Sequence, residues 1–131
     1  MIVFLTTIPS ELDIELMQAG AKRFEGTHEF KAYCKKPSEK TQTLRTIDKC
    51  RLIENSIHTA SFFPTPSYAV IFEGKGFLRN QIRMIMAQLF RLGQKEIDLA
   101  FIEASLKAEF NQHLSEVAPA SGLMLDQVRL D

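Results

Sequence analysis

Apolar and polar residues follow two rhythms along this chain. The opening Ile2-Val3-Phe4-Leu5 is a short, β-branched apolar run, and it predicts a strand broken by Pro9-Ser10. Leu12, Leu16, Ala19 and Phe24 then recur near helical spacing. Ser10 offers an N-cap with Asp13 three residues on, and acids fill the first turn, so a helix is predicted over about 11–24, ended near Gly26. The polar stretch 33–43 reads as a loop. Leu44 to Ile53, with Ile47, Leu52 and Ile53 among polar residues, reads as one strand. Pro64 and Pro66 mark a turn, and Ser67 to Glu73 is a strong strand punctuated by Gly74 and Gly76.

Phe77 to Leu92 carries the clearest helical pattern. Leu78, Ile82, Ile85, Met86 and Leu89 form one stripe, with Gly93 as the residue past its end. A shorter amphipathic helix is predicted over 98–109. Pro119 and Gly122 bracket a turn, and Leu123, Leu125 and Val128 place a strand at the end. The order β-α-β-β-α-(α)-β is the connectivity of the α+β, ferredoxin-like split βαβ. It predicts an antiparallel sheet with helices on one face, in a single domain over 1–131.

Composition narrows the function classes. At 131 residues and 45% apolar, the chain can build a core, which excludes disorder. There is no run of 18 uncharged apolar residues, so no membrane span is predicted. The first residues lack a positive n-region and a small-residue cleavage site, so no signal peptide is expected. Cys34 and Cys50 form neither a metal spacing nor a disulfide framework, and an intracellular, reduced protein is the expectation.

Formal net charge is zero, which on its own gives no sign of a polyanionic partner. The distribution is uneven, however. Residues 22–51 carry +5 and residues 75–91 carry +4, between acidic stretches of −3, −2 and −4. If the fold joins the two basic blocks they make a face for phosphates; otherwise they are two solvated faces.

Few motifs carry chemistry unaided. His28, His58 and His113 have no ligand spacing among themselves or with a cysteine, and neither GxSxG nor a P-loop is present. Gly74-Lys75-Gly76 follows a strand and opens a helix. It reads as an ordinary strand-to-helix turn whose lysine can still hold a phosphate. Arg79 and Arg83 lie four apart on the edge of the long stripe, alongside Phe90. Such arginines either snorkel outward or lean into a cleft to meet a carboxylate or phosphate.

Four blocks, taken in order, resemble a known family. Residues 26–33, GTHEFKAY, look like the G-T-H-D-F-x-x-F segment of tRNA pseudouridine synthases of the TruA type. Arg45-Thr46-Ile47 looks like the R-T-I that follows. Residues 76–93, GFLRNQIRMIMAQLFRLG, look like the family's G-F-L-x-x-M-V-R-x-I-V-G-x-L-x-x-V-G helix. Residues 118–128, APASGLMLDQV, look like its A-P-A-x-G-L-x-L-x-x-V strand. The Gln81-Ile82-Arg83 wording is nearer the eukaryotic branch. Three positions depart: Gln81 for Met, Ala87 for Gly and Glu29 for Asp.

The resemblance implies the C-terminal half of a catalytic domain that detaches uracil from its ribose, rotates it and rejoins it through carbon 5, with no cofactor and no metal. The target base must leave its stack to be reached. The family's catalytic aspartate lies in an R-T-D-K-G-V-x-A-like segment of the N-terminal half, which implies that half as a partner. Asp48 in RTIDKC mimics that segment, but Ile47 intervenes and Cys-Arg-Leu replaces the G-V-x-A turn, so Asp48 is not assigned as the nucleophile.

Position in the motifs implies that Arg83 is the catalytic arginine, facing a cleft to pair with that aspartate. Phe77, Leu78 and Leu123 match apolar walls beside the base, although an ordinary core role explains them as well. Lys35, Lys36, Arg45, Lys75 and Arg79 are candidate phosphate contacts on RNA, with tRNA the implied substrate, and His28 is expected to hydrogen-bond near the GTHEF turn. Half a domain exposes a sheet edge or cleft wall on which a homodimer can form. The rival readings are a catalytically inactive, synthase-like RNA-binding or ribonucleoprotein module, and a ferredoxin-like protein adaptor.

Overall fold

The computed structural model describes residues 1–35, 40–54, 67–112, 114–119 and the backbone of 123–125. The expected turn at Pro64 and Pro66 and the strand's extension to Val128 lie outside them. The element order is β1 (Ile2–Thr7), α1 (Ile14–Arg23), β2 (Gly26–Glu29), a 3-10 turn (Lys31–Tyr33), β3 (Leu44–Ile47), β4 (Lys49–Glu54), β5 (Ser67–Glu73), α2 (Gln81–Gly93), α3 (Leu99–Ser105) and β6 (Leu123–Leu125).

The main sheet runs β4-β5-β1-β6, and every pairing is antiparallel. β1 and β4 are thus parallel with β5 between them, and β5 and β6 are parallel with β1 between them. These two interleaved split βαβ units are the predicted α+β connectivity. β2 and β3 form a separate two-stranded ribbon inserted between α1 and β4. Among the described residues no helix is long and apolar enough to cross a membrane.

Strand periodicity sets the core. Phe4, Cys50, Leu52, Val70 and Phe72 alternate onto the sheet face that meets Met17, Phe24, Ile82, Ile85 and Leu89. Cys50 is fully buried, and burial pushes its thiol well above the ordinary range.

Helix α1 starts later than its sequence suggests. Leu12 N–H donates to Pro9 O, spending the Pro9-Ser10 region on a turn. The cap is Asp13, whose Oδ1 accepts from Leu16 N–H at 3.0 Å. Asp13 N–H in turn donates to Gly93 O at 3.0 Å, so the end of α2 fixes where α1 begins.

Gly93 is not past the end of α2 but inside its last turn. A β-carbon there would stand 2.5 Å from Met17 Sδ and 2.8 Å from Met17 Cγ, and one at Gly20 would collide with Leu92 Cδ2. The two glycines let the helix axes approach where they cross. The left-handed residue that closes α2 is Lys95 (φ 63°). Its N–H donates to Leu92 O while Glu96 N–H reaches Arg91 O, which is a Schellman closure without glycine.

At its start α2 also departs from expectation. Phe77 and Leu78 precede it, because Asn80 adopts φ 61° and Gln81 Oε1 accepts from Leu78 N–H at 2.7 Å. Helix α3 ends at Ser105 rather than 109, starting on an Asp98 cap.

The single strand expected over 44–53 is two strands in different sheets. Leu44–Ile47 pairs with the GTHE segment, itself extended rather than a turn, and Lys49–Glu54 pairs with β5. The change of partner occurs at Asp48, whose N–H donates to Glu73 O at 2.7 Å. Alternation could not reveal this switch, because one residue of kink preserves the apolar count on both sides.

β4 is an edge strand, and its outer rim is occupied. Glu25 Oε2 accepts from Cys50 N–H at 3.0 Å, and Gln18 Nε2 donates to Leu52 O at 3.3 Å. Side chains thereby take the groups that would template another strand.

Two outcomes follow from this packing. Gly93→Ala gains helix propensity yet overpacks against Met17, so urea melts should show a net loss of about 1–2 kcal/mol. The double change Gln18→Ala with Glu25→Ala should lower stability by about 1–2 kcal/mol and hasten light-scattering growth on warming, through exposure of the β4 edge.

Candidate functional site

Helix α2 presents two faces. At 100° per residue, Gln81, Ile85, Gln88 and Leu92 centre the buried side, while Arg83, Ala87 and Phe90 lie half-buried on the opposite side. The 114–119 segment crosses this outer side. Arg83 Nε donates to Ala118 O at 2.7 Å, and Ala118 N–H returns a bond to Arg83 O at 3.0 Å. Further along, Glu116 Oε1 accepts from Gln88 Nε2 at 3.3 Å and lies 3.8 Å from Arg91 Nη1. Arg91 also donates to Gln88 Oε1 and stands 5.9 Å above the Phe101 ring. Leu114 and Ala118 bury themselves in the same contact.

Arg83 is therefore held by its Nε, and among the described residues its two terminal nitrogens have no partner. A guanidinium fixed at one corner keeps its remaining fork oriented for a carboxylate or phosphate.

The two basic blocks meet at the start of α2. Lys35 N–H donates to Arg79 O at 3.3 Å, tying the residues after the 3-10 turn to the loop before α2. Cys34, between them, is raised by burial and pulled back down by the Arg79 backbone and the Arg45 charge. The 74–76 loop packs on β3: a β-carbon at Gly74 would be 3.2 Å from Thr46 O, and one at Gly76 would be 3.5 Å from Arg45 Nη1. Leu44, Arg45, Thr46, Asp48, Lys75 and Gly76 line an open cleft of about 430 Å³. Arg45 is braced there by its Nε–H bond to Gln42 O at 2.6 Å.

The sequence candidates fall into groups. Arg45 and Lys75 share the cleft, and Lys35 and Arg79 are joined beside it, both exposed. Lys36 lies outside the described residues. Leu78 is buried in the core, whereas Phe77 is half-buried edge-on to Phe72 at 6.4 Å. Leu123 pairs with Phe4 through its backbone, and its side chain lies outside the description. His28 makes the expected local bond, Nε2 to Glu25 O at 2.8 Å.

Sequence reasoning missed three features. The Gln88–Arg91–Glu116 cluster joins residues 28 apart, which no local pattern signals. Tyr33 is fully buried with its hydroxyl 2.8 Å from Ser105 Oγ, its ionisation driven well upward by burial. Gln81 is fully buried, and its Nε2 has no hydrogen-bond partner among the described residues. The one available signal for Gln81 was its departure from an apolar residue in the motif.

The pattern of the family described as tRNA pseudouridine synthase matches residues 21–131. Similar curated proteins include tRNA pseudouridine synthase A of the Staphylococcus aureus strains JH1, Mu3 and MRSA252. Each is 28% identical over 126 residues, which is 96% of this chain and 44% of theirs. The chain thus spans less than half the length of these relatives. Since the family pattern takes in most of the chain, including α2 with Arg83 and the strand after Ala118, the chain belongs to the tRNA pseudouridine synthase family.

Proposed function

We propose that this chain forms one wall of a tRNA pseudouridine synthase active site, acting inside the cell where tRNA is found. The observation that carries this reading is the fixed Arg83 guanidinium on the half-buried face of α2, whose terminal nitrogens have no partner among the described residues. In this reading the reactive aspartate comes from sequence outside these 131 residues, in the length that the relatives have beyond the match.

The role of Arg83 is electrostatic. A carboxylate enclosed beside a base would take up a proton, and a facing guanidinium holds it ionised. The ionised aspartate then meets the ribose as the bond from C1′ to N1 breaks. Uracil turns, a bond from C1′ to C5 forms, the C5 proton leaves, and N1, freed from the ribose, takes up a proton in its place. The product is an isomer, so the reaction consumes no redox partner or cofactor. Phe77, in the loop that leads to Arg83, supplies an apolar edge for the flipped base, while Leu78 supports that edge from the core. Lys35, Arg45, Lys75 and Arg79 hold phosphates of the RNA that delivers it.

A second reading is favoured by one observation. The Arg45–Lys75 cleft is built entirely from residues of this chain, so an RNA-binding or assembly module without chemistry needs nothing else.

Arg83→Lys keeps a charge but loses the fork. In the protein carrying the aspartate segment, pseudouridine formation in tRNA, read by mass spectrometry, should fall at least about 100-fold in kcat with tRNA affinity changed less than about threefold. Unchanged kcat would remove Arg83 from the chemistry. For the phosphate contacts, Lys75→Gln or Arg79→Gln should each reduce the log–log salt slope of tRNA binding by about 1. A salt-independent affinity in the unaltered protein would discard the electrostatic assignment and favour an adaptor.

A further inference from the structure

The Asp48 carboxylate is left over by the fold. Its backbone N–H is spent on Glu73 O. Its side chain caps nothing and joins no ion pair among the described residues, although it shares a cleft with Arg45 and Lys75. A residue needed only to kink the chain between β3 and β4 would be expected to bond its own turn. Three formal charges of both signs thus line one cleft without neutralising one another. Space of about 430 Å³ separates them, within the ordinary range for a small-ligand site.

The chemistry of the lining is divided. Arg45, braced at Nε by Gln42 O, brings its Nη1 beside Gly76, where a β-carbon would stand in ordinary contact with the guanidinium at 3.5 Å. Lys75 enters from the opposite element, carried by the loop packed on β3. Two cations suit a phosphate. A carboxylate repels phosphate and accepts only from a donor, and the donor that lies one sugar away from a phosphate in RNA, and is missing in DNA, is the 2′-hydroxyl.

We propose that this cleft is a subsite for a nucleotide flanking the target in single-stranded RNA: Arg45 and Lys75 hold a backbone phosphate, and Asp48 accepts the 2′-hydroxyl of the adjoining ribose. The proposal rests on the reading that the chain engages RNA, and adds to it a means of telling RNA from DNA. With two cations against one carboxylate the cleft keeps a net positive charge, so Asp48 selects at a modest cost in attraction. Leu44, exposed at the rim, offers the base an apolar surface.

The test compares short oligouridylates with ribose, deoxyribose and 2′-O-methylribose by fluorescence anisotropy at fixed salt. The unaltered chain should prefer the ribose form over both others by about tenfold, the worth of one charge-assisted hydrogen bond. Asp48→Ala should bring that ratio near one while strengthening deoxyribose binding, because a repulsive charge is gone. Asp48→Asn, whose amide oxygen still accepts, should lie between. Arg45→Gln and Lys75→Gln should weaken all three oligonucleotides by the same factor and leave the ratio intact. An equal ratio in the unaltered chain and in Asp48→Ala overturns the assignment of Asp48 while leaving the synthase reading standing. Absence of binding to any oligonucleotide overturns the RNA reading of the cleft together with this proposal. Because the Asp48 side chain is exposed and makes no bond among the described residues, circular dichroism should show both of its variants folded as the parent.

Discussion

The crossing of α1 and α2 at Gly20 and Gly93 is the constraint on which the rest of the structure leans. Gly93 gives up its side chain to Met17 and its carbonyl to Asp13, so one residue sets both the separation of the helices and the first turn of α1. With α2 pressed this close, its opposite side is turned away from α1 and left to residues 114–119. Arg83 belongs to that opposite side. Its orientation therefore depends on a contact made three helical turns away, at the far end of the same helix.

A second consequence concerns the start of α2. The helix cannot slide along its partner, so the loop 74–80 must close the distance from β5. It does so with Asn80 in a left-handed conformation and Gln81 folded back onto Leu78 N–H. A left-handed asparagine is tolerated at little cost, whereas the buried Gln81 amide, with no partner for its Nε2 among the described residues, is not. The expense falls on the segment that carries Lys75, Phe77 and Arg79. Strain and unpaired polarity gather where substrate contacts are proposed, the usual place for a fold to depart from its most stable arrangement.

Most of the architecture was legible in the sequence because strand and helix periods differ and the apolar runs were long. The stripe from Leu78 to Leu89 placed α2, and Ser67–Glu73 placed β5. The split βαβ order followed from the succession of elements. What escaped were the events that long-range contacts decide. The Asp13 cap was preferred to Ser10 because Gly93 O receives its N–H. Gly93 looked like a terminator because glycine is so common there, although here a neighbour's side chain demanded it. Leu44 to Ile53 read as one strand because a single kinked residue leaves no trace in the alternation. The motif singled out Arg83, but its bond to Ala118 left no trace in the sequence, since it joins residues 35 apart. The cleft around Asp48 was invisible for the same reason: it needs β3 and the 74–76 loop in contact.

Charge explains how a chain of zero net charge can still present a surface to a polyanion. Among the described residues five ion pairs join Arg23 to Glu103, Lys49 to Glu73, Arg51 to Glu25, Arg91 to Glu116 and Lys95 to Asp13. All are at least partly exposed, and each contributes little to stability. Their effect on the field is larger, because each cancels a cation locally. Lys35, Arg45, Lys75 and Arg79 are left outside this set and draw together where the two basic blocks touch. With screening over about 8 Å at physiological salt, any anion placed at that end would respond to these neighbours and not to acids on remote faces. Net charge counts every residue equally, whereas binding weights each by distance. The partition of ion pairs over the surface, rather than the total, decides where this chain keeps uncompensated positive charge.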